Sequence, residues 1–543
     1  MKTSIKKRLR NTIIAVSTIL FLGSLMPGTF TEEILSNEFL NNLKLKLKKL
    51  DIENPEDRVY LQFDKPMYKP GETIWLSAYV RNGSDLKPSI KSDILHAELI
   101  DPKGNVIQTK NLIAQKGKTN AEFEITENMM GGLYKVKAYT IWQKNSATFF
   151  EKEIQVQKVV LPRLKMKLEF QRKAYGPGDD VIAKLDLNTL ENMPLSDYEF
   201  NYVAMLNGKN ILTKKFSTNE IGEAYVKFEL PEELATNDGL LNIMIDYEGK
   251  TESISRSIPI TLGNIDLSFY PEGGDLVEGL ETNVAFKAID EFGKPADIEG
   301  VVKDKSGRIV AEFTSFHNGM GAFEFEPKIG QEYQALITKP KGIAKSYTLP
   351  ERLSRGWVLN VTDNKDNLNV VINSTEDETM SLMCQVRGVA YFTREVNVTR
   401  GENEFKVPLD KFPIGVAQIT LFDSREIERA ERLVFVNKDK KMNIQIITNK
   451  EKYLPREKVQ MTLKVTDERG LPIPANLSMS VVDDKLLSFA DDKTSNILTS
   501  LLLEQDLAGK VEEPKFYFDP KEEKATEALN YLLMTDGWRR YKW

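Results

Sequence analysis

Cysteine occurs once and histidine twice in 543 residues, and these two shortages exclude more chemistry than any motif in the chain supplies. Cys384, in SLMCQVRG, has no partner for an internal disulfide, so the fold must be held by burial alone. His96 and His317 are too few and too far apart for a Ser-His-acid triad or a histidine-rich zinc site. His317, in SFHNGMGAF between a strand pattern and a glycine turn, is read as a structural hydrogen-bonding residue. No charge of one sign prevails: 74 basic and 80 acidic residues leave a net charge of -6, which gives no field for nucleic acid. Long hydrophobic runs are also lacking after the first thirty residues. TIIAVSTILFLGSLM, residues 12–26, follows Lys2, Lys6, Lys7, Arg8 and Arg10; it is short for a membrane span and fits a signal-peptide core. Residues 1–31 are therefore expected to be a signal peptide or, if uncleaved, an anchor. No cysteine stands next to the end of the run, which excludes a bacterial lipoprotein anchor.

Motifs for catalysis fail on their context. QKGKTN imitates the end of a phosphate loop, but Leu112 stands where the first glycine is needed and a strand pattern, not a helix, follows. Ser84 to Lys87, SDLK, lies in a turn-rich loop with no Lys-Thr-Gly partner after it. The acidic pairs Asp363 and Asp366, Asp483 and Asp484, and Asp491 and Asp492 lack the spacing of a calcium loop and read as solvated turn carboxylates. No catalytic residue, metal ligand or cofactor is assigned, and an enzyme is not expected.

What the chain has is β-structure. Its length exceeds the roughly 250–300 residues one core can serve, and 41% hydrophobic with 28% charged residues is ordinary for a globular protein. From Val59 to Val436, alternating patterns are separated by turn signals such as DPKGN, LNGKN, DEFGKP and DNKDN, with no long helical segment between them, so antiparallel sandwiches are expected. One phrase recurs: DKPMYKPGETIWLSAYV near 64, RKAYGPGDDVIAKLDL near 172 and KEKYLPREKVQMTLKV near 450. Tyr68, Tyr175 and Tyr453 align, as do Pro70, Pro177 and Pro455, then Glu72, Asp179 and Glu457. Gly71 and Gly178 align with Arg456. Proline followed by glycine sets a chain reversal. After it Val459, Met461, Leu463 and Val465 alternate with polar residues, as in a strand with one buried face. A blurred copy, LVEGLETNVAFKAIDEFGKP, begins at 276. The spacing gives five all-β sandwich units, 58–158, 159–262, 263–348, 349–438 and 439–543, after a helical linker over 32–57. In the first copy Trp75 and Tyr79 fall on the face that should be wet. They are expected to be covered by another element or to contact a partner.

Helices are expected at both ends. LSNEFLNNLKLKLKKL, 35–50, has near-helical apolar spacing. TSNILTSLLLEQDLAGK, 494–510, carries the stripe Ile497, Leu498, Leu501 and Leu502 before Gly509. DPKEEKATEALNYLLMTDGW offers Asp519 as a cap, Pro520 in the first turn and Gly537 as a stop. Trp538, Arg539, Arg540, Tyr541 and Trp543 crowd the terminus and are candidate partner contacts, since aromatic and arginine residues dominate interface energetics.

The phrase DKPMYKPGE, with DPKGN at 101 and GGLYKVKAYT at 131, resembles a macroglobulin domain of the α2-macroglobulin and complement family. FYPEGGDLVEG, AERLVFV at 430–436 and DERGLPIPANLSMSVVD at 467–483 resemble bacterial members of it. The resemblance implies tandem immunoglobulin-like sandwiches. Protease-trapping members carry a GCGEQ thioester; MCQVRG around Cys384 has neither its glycines nor its Glu-Gln, so covalent trapping is excluded. AGKVEEPKFYF and LMTDGWRRYKW resemble the end of a macroglobulin-like extension that precedes the plug and barrel of some TonB-dependent outer-membrane proteins. The expected function is an exported, non-enzymatic scaffold of a Gram-negative envelope, in the periplasm or at the outer membrane. It would bind a protein or envelope polymer, and reach the membrane through its N-terminal segment or a partner. A thioester-independent endopeptidase inhibitor is the alternative.

Overall fold

The computed structural model describes residues 37–54, 56–144, 148–157, 162–483 and 493–537. The signal-like segment and Trp538 to Trp543 lie outside the described residues. Strands dominate, and in four successive units they form the expected pairs of sheets, antiparallel except where Met67–Tyr68 joins Phe150–Val156 in parallel. The first sheet of each unit has three strands. Their middle members are Thr73–Asn82, Asp180–Thr189, Thr282–Asp290 and Asn367–Ser374, each bonded to a strand on both sides. The second sheets have five strands in unit one and four in units two to four. Strict alternation of the middle strands puts Ile74, Leu76, Ala78 and Val80 into the first core, and Val181, Ala183, Leu185 and Leu187 into the second, as one buried face requires.

The recurring phrase builds one device. The Tyr68 hydroxyl accepts from the backbone N–H of Lys65 at 3.3 Å, that of Tyr175 from Arg172 at 3.1 Å and that of Tyr453 from Lys450 at 3.1 Å. Three residues after its start the acid closes the turn. Glu72 accepts from Lys69 N–H at 2.9 Å, Asp179 from Gly176 N–H at 2.8 Å and Glu457 from Leu454 N–H at 2.9 Å. Gly71 and Gly178 then take φ of +88° and +66°, where a side chain is disfavoured. Arg456 holds the same left-handed conformation at +65°, so the third copy keeps its turn without glycine. Tyr68 and Tyr175 are fully buried, whereas Tyr453 is partly exposed.

That last difference marks the fifth unit. Asn443–Thr448 and Met461–Thr466 pair into a two-stranded sheet, and among the described residues no further strand joins them. The face expected to pack is uncovered: Val459, Met461 and Leu463 are exposed. The next described residues, 493–537, form helices, and among the described residues no opposing sheet covers this face.

Helix α1, Glu38–Glu53, is capped by Asn37, whose side chain accepts from Leu40 N–H at 2.9 Å. It lays Phe39, Leu40 and Leu43 on Met383 and Phe422 of unit four. Its far end meets unit one, where Gly83 N–H donates to Glu56 O at 2.8 Å and Ser84 to Asp51 at 3.2 Å. Arg387 of unit four also donates to Ser84 O at 3.2 Å, so the first and fourth sandwiches touch. Helix α2, Ile497–Leu502, ends with its apolar stripe and well before Gly509, because Leu503 leaves helical geometry at φ −134°. Helix α3, Ala525–Thr535, starts later than Asp519 predicts. Asp519 instead closes a separate turn by accepting from Lys521 N–H at 2.9 Å.

Candidate binding surface and the helical clasp

Residues 493–537 contact each of the four sandwich units. Seen from unit one, α2 covers one end of the outer face of the first sheet. Tyr60 and Tyr79, paired across strands, are buried beneath Leu501 and beside Phe150. Arg58 donates to Leu501 O at 2.7 Å and pairs with Asp506, and Gln505 donates to Val59 O at 3.3 Å. Glu504 enters this contact as well, and burial raises its carboxyl pKa. Unit two is reached through Lys173, whose Nζ lies 2.9 Å from Glu513, an acid shared with Lys493 at 3.3 Å.

Unit three supplies His317, stacked on Phe516 with centroids 3.8 Å apart and planes at 8°. Tyr517 meets the same ring edge-on at 5.6 Å. Lys287 reaches Asp536 at 2.5 Å. Unit four supplies Phe435 against Phe518 and Lys438 donating to Tyr517 O at 2.7 Å. Buried Arg432 lies 2.9 Å from Glu272 of unit three and also bonds Asn530 of α3. Gly537 packs so closely on this unit that a Cβ there would lie 2.4 Å from Leu433. One helical segment thus grips all four sandwiches.

Burial lowers the His317 pKa to about 4 from an ordinary value of 6.5. Glu513 opposes this depression, while Lys173, Lys493 and Lys524 add to it. The imidazole is neutral at pH 7 and its Nε2 lies 3.0 Å from Asn318 Nδ2, a packing and hydrogen-bonding role. Unfolding lets the ring take up a proton below pH 6.5, so the stability it supports is present above that pH and is lost as pH falls toward 4. The loss should approach about 3 kcal/mol. Urea midpoints at pH 7 and pH 4.5 will show it, and His317→Phe, which keeps the stack, should remove that share of the pH dependence.

Other candidates are placed as follows. Cys384 is fully buried in the core of unit four, and burial raises its thiol pKa, the opposite of a reactive thiolate. His96 stacks on Tyr139 at 5.4 Å and lies 2.7 Å from Asn111 Oδ1. Asp363 accepts from Lys365 N–H at 2.7 Å within its turn. Among the described residues no group of histidines, cysteines and acids is arranged for a metal. An open cleft of about 280 Å³ lies between unit three and α3, lined by Asn283, Phe323, Glu324, Asn530 and Tyr531. No helix among the described residues is long and apolar enough to cross a membrane.

Trp75 and Tyr79 share one sheet face but not one environment. Tyr79 is covered by α2, whereas Trp75 is 56% exposed, opposite Glu122 and beyond the Ser77–Asn120 hydrogen bond of 3.0 Å. The clasp partners Arg432 and Glu272 were absent from the sequence reading as site residues, although AERLVFV and FYPEGGD were noted there. The signal is an arginine directly before the apolar run Leu433 to Val436, inside a strand whose alternation buries it.

Residues 58–156 match the family model described as the MG2 domain. A curated relative, "Alpha-2-macroglobulin" of Thermotoga maritima, is 20% identical over 434 residues, covering 76% of this chain and 27% of its own length. Among solved structures, trypsin-activated α2-macroglobulin from Escherichia coli is 14% identical with a TM-score of 0.43, covering 76% of this chain and 33% of that one. Salmonella α2-macroglobulin reacted with methylamine is 14% identical with a TM-score of 0.35, over 82% and 34%. The chain spans about a quarter to a third of the length of these relatives. By its MG2 domain, its curated relative and its array of paired sheets, the chain is a macroglobulin-like multidomain protein.

Proposed function

We propose that the chain is an exported, non-catalytic scaffold of a Gram-negative envelope that binds a protein, as an accessory of a TonB-dependent outer-membrane system. The observation that carries the binding role is the outer face of the first sheet of unit one. One end of that face, Tyr60 and Tyr79, already holds a protein element, α2, and the same face continues uncovered to Trp75. A large aromatic exposed beside a working protein contact is what a docking site uses. The export reading rests on residues 1–31, and the TonB association on the resemblance of the C-terminal segment. A photo-crosslinking residue at position 75, introduced in the native organism, should join the chain to a TonB-dependent barrel protein identified by mass spectrometry. Cross-linking to a protease instead would favour the inhibitor reading, and no cross-link would overturn the docking face.

A further inference from the structure

Among the described residues the fifth unit repeats only the opening strands of a sandwich. In unit one Val80 N–H donates to Gly117 O at 2.9 Å while Val80 O accepts from Ser89; in unit two Leu187 bonds Gly222 and Leu195 in the same way. Ala288 repeats the pattern with Gly319 and Ala296. Val465 holds the corresponding place, and its O accepts from Ile473 N–H at 3.3 Å. Its N–H has no glycine carbonyl facing it among the described residues. The first half of the pattern is present and the second is not.

The missing strand has a legible sequence, because three units contain it. GKTNAEFE at 117–124, GEAYVKFE at 222–229 and GMGAFEFE at 319–326 all read Gly, three residues, an apolar residue, one residue, Phe, Glu. The glycine is required: Gly117, Gly222 and Gly319 have φ of +68°, +75° and +73°, and a Cβ would lie 2.4–2.6 Å from the carbonyl oxygens of Val80, Leu187 and Ala288. The phenylalanine always faces the same strand position: Phe123 opposes Ile74, Phe228 opposes Val181, and Phe325 opposes Thr282. The equivalent in the fifth unit is Val459, which is 46% exposed where Ile74 and Val181 are at 0%. The end of the strand is clamped by the turn glycine: Gly71 N–H donates to Ile125 O, Gly178 to Pro231 O and Gly279 to Pro327 O. Arg456 keeps that left-handed geometry.

We propose that residues 443–466 are an acceptor for one antiparallel strand of a separate polypeptide carrying this Gly-x-x-x-apolar-x-Phe-Glu pattern. Its phenylalanine sits opposite Val459, its preceding apolar residue opposite Met461, and its glycine carbonyl on Val465 N–H. Backbone pairing supplies affinity and the two alternate side chains supply specificity, as in strand addition to a free sheet edge. A second folded copy of this chain is not the donor, since its three copies of the pattern are each spent inside their own units. The site is separate from the Trp75 face.

A fluorescently labelled peptide of residues 219–231, NEIGEAYVKFELP, added to the full chain tests this. Saturable binding is expected, with the amides of Arg456 and of 459–465 exchanging at least about tenfold more slowly. The same peptide carrying Phe228→Asp should bind at least about tenfold more weakly. Binding no tighter than that of a scrambled peptide would overturn the proposal, as would protection confined to unit two through exchange with its native strand. Concentration-dependent self-association of the chain alone, with 443–466 protected, would overturn it in favour of a second copy.

Discussion

Arg432→Ala should cost about 3–5 kcal/mol, because it strands a buried carboxylate rather than merely deleting a contact. Arg432 and Glu272 are 3% and 6% exposed, and their charged atoms lie 2.9 Å apart. Glu272 keeps two hydrogen bonds, from Asn283 at 2.9 Å and Asn360 at 2.7 Å, but neither neutralises it. The double variant Arg432→Met with Glu272→Gln should recover much of the loss, since an apolar or neutral replacement of both partners avoids an uncompensated charge. Urea denaturation followed by tryptophan fluorescence measures both. A single variant as stable as wild type would show that water reaches Glu272. Because Arg432 also holds Asn530, the loss should appear in α3 as faster hydrogen exchange at residues 525–535.

Tyr517→Ala is expected to be comparably severe, about 3–5 kcal/mol, the usual cost of emptying a buried aromatic site. Tyr517 has no exposed surface. It meets His317 and Phe516, while its carbonyl takes the Lys438 ammonium. One residue therefore ties the clasp to two units, its ring meeting unit three and its backbone carbonyl unit four. Removing it should make the 493–537 segment sensitive to protease before any sandwich unfolds, and limited proteolysis with mass spectrometry reads that order. Cleavage appearing first within a sandwich would mean that the clasp does not depend on Tyr517.

The repeated phrase was readable because its parts interact locally: a tyrosine with the residue three before it, and an acid with the N–H three before it. Such short-range chemistry leaves fixed spacing in the sequence. The turn at Arg456 was not legible in the same way, because an arginine aligned with two glycines leaves the turn type open, and only the structure shows it in the left-handed conformation. The length of α2 was overestimated because Gly509 was read as its stop, whereas the helix ends with its apolar stripe at Leu502. The pairs Arg58–Asp506 and Lys173–Glu513 join residues hundreds of positions apart, and no periodicity records a partner at that distance. The uncovered face of the fifth unit was likewise hidden: the alternation of Val459, Met461, Leu463 and Val465 is the same whether or not an opposing sheet arrives.

Asn37, at the head of α1, bonds Ser381 and Glu395 of unit four at 2.9 and 3.0 Å, and Gly537, just past α3, presses on Leu433 of that unit. A tension applied between residues 37 and 537 would therefore be borne by a single four-stranded sheet. Units one to three would stay slack inside a closed loop, so this tandem array should resist pulling as a rigid body and would not pay out length one bead at a time.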